Sequence, residues 1–278
     1  MDTGDTAHLV RVYDTLHFVE ENYSRLISIK ELEKVSHYSY RNIQRIFKYT
    51  CGETIGAYQQ RLKVENAYKM ILYTRESLSS IALEVGFATV ASFSKAFRQH
   101  FGMAPSEARE RKLPLLAGAA IVPREMEERL MPDIMYVPPV TVYYQSAFID
   151  YNHEDVEALW ERFMSHQFTN AGTEFYGIVA DEPLIRESLK CRYDACASVQ
   201  AAKGKLPSKT IPGGKYAGFI HYGSYETIED TYQKIYAGWI LDTHLEFAPT
   251  PIIEKYIKHP DNTASVEEQE TAIWLPLQ

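Results

Sequence analysis

The sequence predicts a two-domain protein: an all-α first part made of two helix-turn-helix units, then an α+β second part made of two strand-helix-strand-strand repeats. Three observations predict it. Hydrophobic spacing is helical over residues 1–112 and becomes strand-like alternation from residue 133 onward. The 278 residues reach the length at which one hydrophobic core stops growing, roughly 250–300 residues. Charge is also divided: residues 1–112 hold 16 Lys+Arg against 13 Asp+Glu and the remainder 13 against 24, inside a net charge of −8. The whole-chain acidity therefore hides a mildly basic first part, which suits a polyanionic partner.

The elements follow in order. Over residues 6–23, Leu9, Val12, Tyr13, Leu16 and Val19 recur at helical spacing. Ser28 and Glu31 have capping-box spacing and open a short helix to about residue 36. Ser39 is placed to cap a helix over 40–50 whose inward face is Ile43, Ile46 and Phe47, and Cys51-Gly52 stops it. A long helix over 54–73 carries Ile55, Tyr58, Leu62, Ala67, Ile71 and Leu72 on its apolar stripe. The short-helix pair then returns. Ser77 opens the first, Val85-Gly86-Phe87 turns the chain, and Thr89 caps a helix over 90–101 with Phe93, Ala96 and Phe97 inward. Pro105 can start a last helix through 112.

Residues 113–132 mix Ala, Gly and Pro with charges and are expected to link domains 1–112 and 133–278. Strands are expected over 135–137, 140–144, 175–179 and 192–199, with a helix over 154–168. The same order recurs as a strand over 215–221, a helix over 227–241 and strands over 252–257 and 271–275, which reads as an internal duplication of pattern.

Several function classes are excluded at this level. No run of about 18 apolar residues and no basic-then-apolar leader is present, so a soluble cytoplasmic protein without membrane contact is expected. Cys51, Cys191 and Cys196 lack metal-ligand spacing, and the nine histidines form no ligand pair; no metal and no cofactor is expected. No Ser-His-Asp or Cys-His arrangement is legible, so no catalytic residue is assigned.

Ile29-x-x-Leu32, Ser39-x-x-x-Ile43-x-Arg45-x-Phe47-Lys48, Ile81-Ala82-x-x-Val85-Gly86-Phe87 and Phe93-x-x-x-Phe97-Arg98-x-x-Phe101-Gly102-Met103-Ala104-Pro105 together resemble the AraC/XylS family of transcription regulators. The resemblance implies promoter DNA and RNA polymerase as partners. Gly177–Pro183, Arg192-Tyr193-Asp194-Ala195, Ile211-Pro212-Gly213-Gly214-Lys215-Tyr216-Ala217, His221-Tyr222-Gly223-Ser224-Tyr225 and Ile253-Glu254-Lys255-Tyr256 resemble the GyrI-like effector-binding domain. That resemblance implies a small organic effector and points to Glu254 as the pocket carboxylate.

With Ile43, Ile46 and Phe47 inward, Tyr40, Arg41, Gln44, Arg45 and Lys48 turn outward, and Arg and Gln have the donors and acceptors that read guanine and adenine edges. An ordinary solvated face would hold the same residue types. In the second unit the outward set is Val90, Ala91, Ser94, Lys95 and Arg98, short at the front and basic behind; base discrimination is expected mainly from the first unit. For the second domain the candidate effector wall is Glu254, Trp160, Tyr176, Tyr193, Phe219, Tyr222, Trp239 and Tyr256, since aromatic faces over a carboxylate take organic cations. Trp160 and Trp239 are expected to flank one groove. The leading expectation is a sequence-specific regulator, an activator, that responds to an amphipathic or cationic small molecule. A GyrI-like hydrolase and a regulator with a merely structural second domain are the alternatives.

Overall fold

The computed structural model describes residues 3–111, 130–149, 153–168, 170, 172–181, 191–203, 205–240, 243–248 and 250–278. The chain divides into two compact units, Met1–Glu110 and Arg111–Gln278. The first holds helices α1 (Thr3–Glu21), α2 (Ile29–Ser36), α3 (Tyr40–Cys51), α4 (Ile55–Tyr73), α5 (Leu78–Glu84), α6 (Val90–Phe101) and α7 (Pro105–Glu110).

Local chemistry explains where these helices begin and end. Ser28 Oγ accepts the Glu31 N–H at 3.3 Å while the Glu31 carboxylate accepts the Ser28 N–H at 2.8 Å, a closed capping box. The Thr54, Ser77 and Thr89 hydroxyls accept the N–H groups of Ala57, Ser80 and Ser92 at 3.1–3.2 Å. Ser39 departs from expectation: its backbone is extended, yet its side chain makes no capping bond. The Tyr40 N–H donates instead to the Glu33 carboxylate at 2.8 Å. An ionised carboxylate is the stronger acceptor, and α2 ends close enough for Glu33 to span the turn. Gly52 and Gly102, at φ 78° and 72°, close α3 and α6 in the left-handed region. The last helix, expected to reach residue 112, stops at Glu110.

Each helix-turn-helix buries its own apolar cluster against α4. Val12, Leu16, Val19, Leu32, Ile43, Phe47, Tyr58 and Leu62 form the first. In the second, Phe93, Phe97, Phe101 and Tyr68 meet at ring-centroid distances of 4.7–5.6 Å, mostly edge to face. Ile46 and Ala96, expected inward, are only half-buried at the margins. The two clusters are held together at Gly86. Its φ is 84°, and a Cβ there would lie 1.7 Å from the Ser24 carbonyl oxygen, so only glycine lets the second turn touch the α1–α2 loop. Lys63 Nζ donates to the Gly86 carbonyl at 2.9 Å and ties α4 to the same turn.

The second unit is an antiparallel sheet of β1 (Asp133–Val137), β2 (Val140–Ile149), β3 (Phe175–Val179), β4 (Cys191–Ala197), β5 (Ser208–Ile211), β6 (Gly214–Tyr222), β7 (Ile252–Lys258) and β8 (Glu270–Pro276), in the order β1-β6-β8-β7-β3-β4-β2-β5. Helix α8 (His153–Met164) precedes β3, and α9 (Ile228–Lys234) follows β6. β5 was not expected from the sequence: only Ile211 of its four residues is buried, so the edge strand shows no alternation until β2 pairs with it. The helix expected over 154–168 ends at Met164, beyond which Gln167 takes φ 60°. The helix expected over 227–241 is three pieces, a 3₁₀ turn Tyr225–Thr227, α9, and a π-helical turn Ile235–Ile240. Residues 112–129, most of the expected linker, lie outside the described residues, as do 182–190 and Leu241.

Register decides which residues share a face. Gly177 pairs with Glu254 on one side and Ala195 on the other, Phe175 pairs with Tyr256, and Val179 with Tyr193. Directly opposed residues point the same way, so Glu254, Gly177, Tyr193 and Tyr256 occupy one face. Tyr176, Asp194, Lys255 and Trp274 occupy the other.

Candidate nucleic-acid interface and small-molecule site

Arg41, Arg45 and Lys48 of α3 and Lys95 and Arg98 of α6 are exposed, because Ile43 and Phe47, and Phe93 and Phe97, take the buried stripe of their helices. Among the described residues none of these five basic side chains is paired with a carboxylate, the state in which a cation is available to phosphate. Arg45 is steadied by Asn42 Oδ1 at 3.2 Å. Tyr40 and Gln44 differ from the rest: Tyr40 packs on the first core and Gln44 Nε2 donates to its hydroxyl at 2.6 Å, so both are half-buried. Val90, 42% exposed, and Ala91 present a small apolar front on α6, with Ser94 half-buried behind. Sequence reading passed over Tyr49. It is 92% exposed and stands one turn beyond Arg45 on the same stripe, a position that i, i+4 spacing from Arg41 and Arg45 identifies.

In the second unit Glu254 is completely buried at the centre of the sheet. Its Oε2 accepts hydroxyls from Tyr193 at 2.7 Å, Tyr225 at 3.0 Å and Tyr256 at 3.3 Å, and its Oε1 accepts from Tyr232 at 2.8 Å. Burial pushes the carboxyl above its ordinary range, and the four phenol hydroxyls pull against that without cancelling it. Burial and the neighbouring carboxylate push the Tyr256 phenol up as well. Gly177 makes the meeting possible: a Cβ there would fall 1.8 Å from the Tyr193 hydroxyl and 2.9 Å from Glu254 Oε2.

Two members of this cluster, Tyr225 and Tyr256, line a cavity of about 480 Å³ that Trp160 and Met164 of α8 and Phe175 also wall. Trp160 meets Tyr256 edge to face at 4.9 Å, and Tyr225 lies 6.0 Å from Tyr256 at 36°. Of the expected wall, Trp160 and Tyr256 line the cavity, and Glu254 and Tyr193 meet the Tyr256 hydroxyl behind it. The other half is elsewhere. Tyr176 is on the opposite face, where its hydroxyl donates to Glu174 at 2.7 Å, and Tyr222 also faces away and is 67% exposed. Phe219 shares Glu254's face but is buried against Trp239 at 5.1 Å, and Trp239, 5.6 Å from Phe247, is not among the residues that line the cavity with Trp160. The period-2 alternation did not reveal which face each tyrosine takes, because aromatic residues fill both. Tyr225 and Tyr232 enter the site from the turn after β6 and from α9; their seven-residue spacing is the one sequence signal that puts them on the same side of a helix.

The opposite face holds a second buried carboxylate in a different state. Burial pulls Asp194 up, but Arg192 at 3.4 Å, Lys209 and the Ser146 hydroxyl hold it below the ordinary range. Asp194 is neutralised by built-in cations, whereas the four partners of Glu254 named above are uncharged.

A family model described as a GyrI-like small molecule binding domain matches residues 130–278, and one described as a helix-turn-helix domain matches residues 32–111. Transcriptional regulator Rob of Salmonella typhimurium is 24% identical over 272 residues, covering 92% of this chain and 93% of Rob. Regulatory protein SoxS of Escherichia coli K12 is 27% identical over 105 residues, covering 38% of this chain and 98% of SoxS. A solved AraC-type transcriptional regulator from Chromobacterium violaceum covers 37% of this chain and 91% of its own at 25% identity and a TM-score of 0.35. The chain belongs to the GyrI-like family and joins that domain to an AraC-type helix-turn-helix domain in the Rob-like layout of a transcriptional regulator.

Proposed function

We propose that this protein is a cytoplasmic, sequence-specific transcription activator whose residues 1–112 read promoter DNA and whose residues 133–278, joined through 113–132, bind an amphipathic or cationic organic effector. The observation that carries the effector half is Glu254: a fully buried carboxylate under aromatic faces, met by tyrosine hydroxyls. A core position with no ligand to serve gains nothing from a buried charge, whereas an organic cation in the cavity gains the full attraction of one in a low-dielectric site. The order β1, β6, β8, β7 from one edge mirrors β5, β2, β4, β3 from the other, which supports two strand-strand-helix-strand-strand copies rather than unrelated halves.

For the DNA half, Arg41 and Arg45 are assigned to base edges, with Tyr40, Gln44 and Lys48 supporting them. Val90 and Ala91 contact thymine methyls while Ser94, Lys95 and Arg98 anchor to the backbone. The long α4, packed against both helix-turn-helix pairs, holds the recognition helices at one separation, so a single chain reads an asymmetric site of about two helical turns and presents RNA polymerase with a bound complex. Catalysis is disfavoured because both Glu254 oxygens already accept hydroxyl donors, which is poor geometry for activating water.

The test has two arms. Selection of genomic fragments by the full chain should enrich an asymmetric site that an R41A/R45A variant loses. An organic cation should raise the thermal midpoint of the wild type and not that of Glu254→Gln. Enrichment that survives the double substitution sinks the DNA assignment; an equal midpoint shift in both proteins sinks the effector assignment.

A further inference from the structure

His221, near the end of β6, is 3% exposed. Register places it opposite Thr271, which is opposite Tyr256 in turn, so the imidazole lies on the same face of the sheet as Glu254. A buried imidazole needs partners for its nitrogens, because an unmet polar group costs more there than an apolar side chain of similar size. Both nitrogens have one. Nε2 lies 2.9 Å from the Ser224 carbonyl oxygen, and Nδ1 lies 2.8 Å from the Thr231 hydroxyl. The carbonyl can only accept, so Nε2 carries the hydrogen of that bond and Nδ1 accepts from Thr231.

The places of these two partners in the chain are informative. Ser224 immediately precedes Tyr225 and Thr231 immediately precedes Tyr232, the two tyrosines that reach Glu254 from outside the sheet. Between Tyr225 and Lys234 only Ile228 is buried, so apolar packing fixes this segment weakly. A 3₁₀ turn of three residues joined to a helix of seven also has little stability of its own. Tyr193 and Tyr256 are held differently. They belong to β4 and β7, each of which is paired with a strand on both sides.

We propose that His221 is a positioning residue of the Glu254 site: its two hydrogen bonds hold the turn and α9 against β6 where the Tyr225 and Tyr232 hydroxyls meet the carboxylate. His221 is not among the residues that line the cavity, so it acts through the tyrosines, of which Tyr225 is a cavity wall. Its importance for binding an organic cation rests on the small-molecule reading given above, whereas the placement of the two tyrosines does not.

The test reads the four hydroxyls separately. In the full chain, tyrosine labelled with carbon-13 at ring Cζ gives one magnetic resonance signal per residue, and phenylalanine substitutions of Tyr193, Tyr225, Tyr232 and Tyr256 assign the four. In His221→Leu the Tyr225 and Tyr232 signals should move toward that of a solvated tyrosine, while those of Tyr193 and Tyr256 shift by less than half as much. Thr231→Val, which keeps the side-chain shape, should move the Tyr232 signal, and Thr231→Ser, which restores the hydroxyl, should return it. This pair decides the matter should His221→Leu fail to fold. A common displacement of all four signals, as loss of structure would cause, overturns the assignment, and so do Tyr225 and Tyr232 signals that stay in place. Decyltrimethylammonium, titrated calorimetrically below micelle formation, should bind the folded variant that moves these signals about fivefold more weakly than wild type, the weight of about one hydrogen bond. Unchanged affinity beside moved signals overturns the role in recognition. Absence of binding to the wild type overturns the small-molecule reading instead, and the four signals still decide the placement.

Discussion

The two units handle charge in opposite ways. In the first, the functional charges stay in water: Arg41, Arg45, Lys48, Lys95 and Arg98 are exposed and the helices beneath them are held by Ile43, Phe47, Phe93 and Phe97. In the second, the key charge is fully buried and its hydroxyl partners come from β4, β7, the turn after β6 and α9. An exposed site can be altered without touching the fold, because the interior does not depend on it. A buried one is part of the interior, so changing its residues changes stability and binding together.

That contrast can be broken by substitution, and the largest effects belong to the two glycines. Gly86→Ala adds a Cβ 1.7 Å from a backbone oxygen at a position with φ 84°, and neither can yield cheaply. A loss of about 3–4 kcal/mol is expected from overpacking and left-handed strain combined, measured by urea unfolding of the full chain. Gly177→Ala meets a side-chain hydroxyl and a carboxylate instead, which can shift, so about 2–3 kcal/mol is expected together with weakened effector binding. If Gly177→Ala left cation binding intact, the Tyr193–Glu254 contact would not be part of the site.

Smaller effects sharpen the comparison from the DNA side. Arg45→Ala should cost about 1–3 kcal/mol of affinity and relax specificity at one position while stability stays within about 0.5 kcal/mol. Lys95→Ala should weaken all sequences alike and reduce the slope of log affinity against log salt by about 0.9. Equal loss of specificity in the two variants would refute the division of labour between α3 and α6.

The last effect is a slope rather than a level. Because burial raises the Glu254 carboxyl in the folded chain, the folded protein holds that proton where the unfolded chain releases it. Stability from this group is complete below the ordinary glutamate value of about 4.5 and is lost as pH rises toward the raised folded value. Wild type should therefore lose more Tm than Glu254→Gln as pH rises above that value, and parallel curves would show that the carboxyl is not the group responsible. At a pH that leaves this carboxyl protonated, binding of an organic cation should expel the proton, visible as a calorimetric enthalpy that varies with the ionisation enthalpy of the buffer.

Much of the first unit was legible because its rules are local. The Ser28–Glu31 box, the Ser77 and Thr89 caps and the Gly52 and Gly102 stops each depend on residues within four positions of one another. The exception is instructive. Ser39 is the right residue at the right place, but Glu33, seven residues from the N–H it accepts, supplies the bond. The second unit was legible as strands and helices and illegible as a site. Ser208–Ile211 becomes a strand only beside β2, and Tyr176 and Tyr193, both strand tyrosines, are told apart only by the register that sends them to opposite faces.

Sequence by itself determined most helix starts of the first unit, the outward basic stripes and the pairing of a helical with a strand-rich half, since these follow from capping chemistry and periodicity over a few residues. Only the tertiary structure decided that Tyr193, Tyr225 and Tyr232, which lie 61, 29 and 22 positions from Glu254, would converge on one carboxylate and that Gly177 would leave room for them. The physical reason is that burial and strand register are properties of the assembled sheet. No local pattern records which distant strand will lie alongside, or how much water will remain when it does.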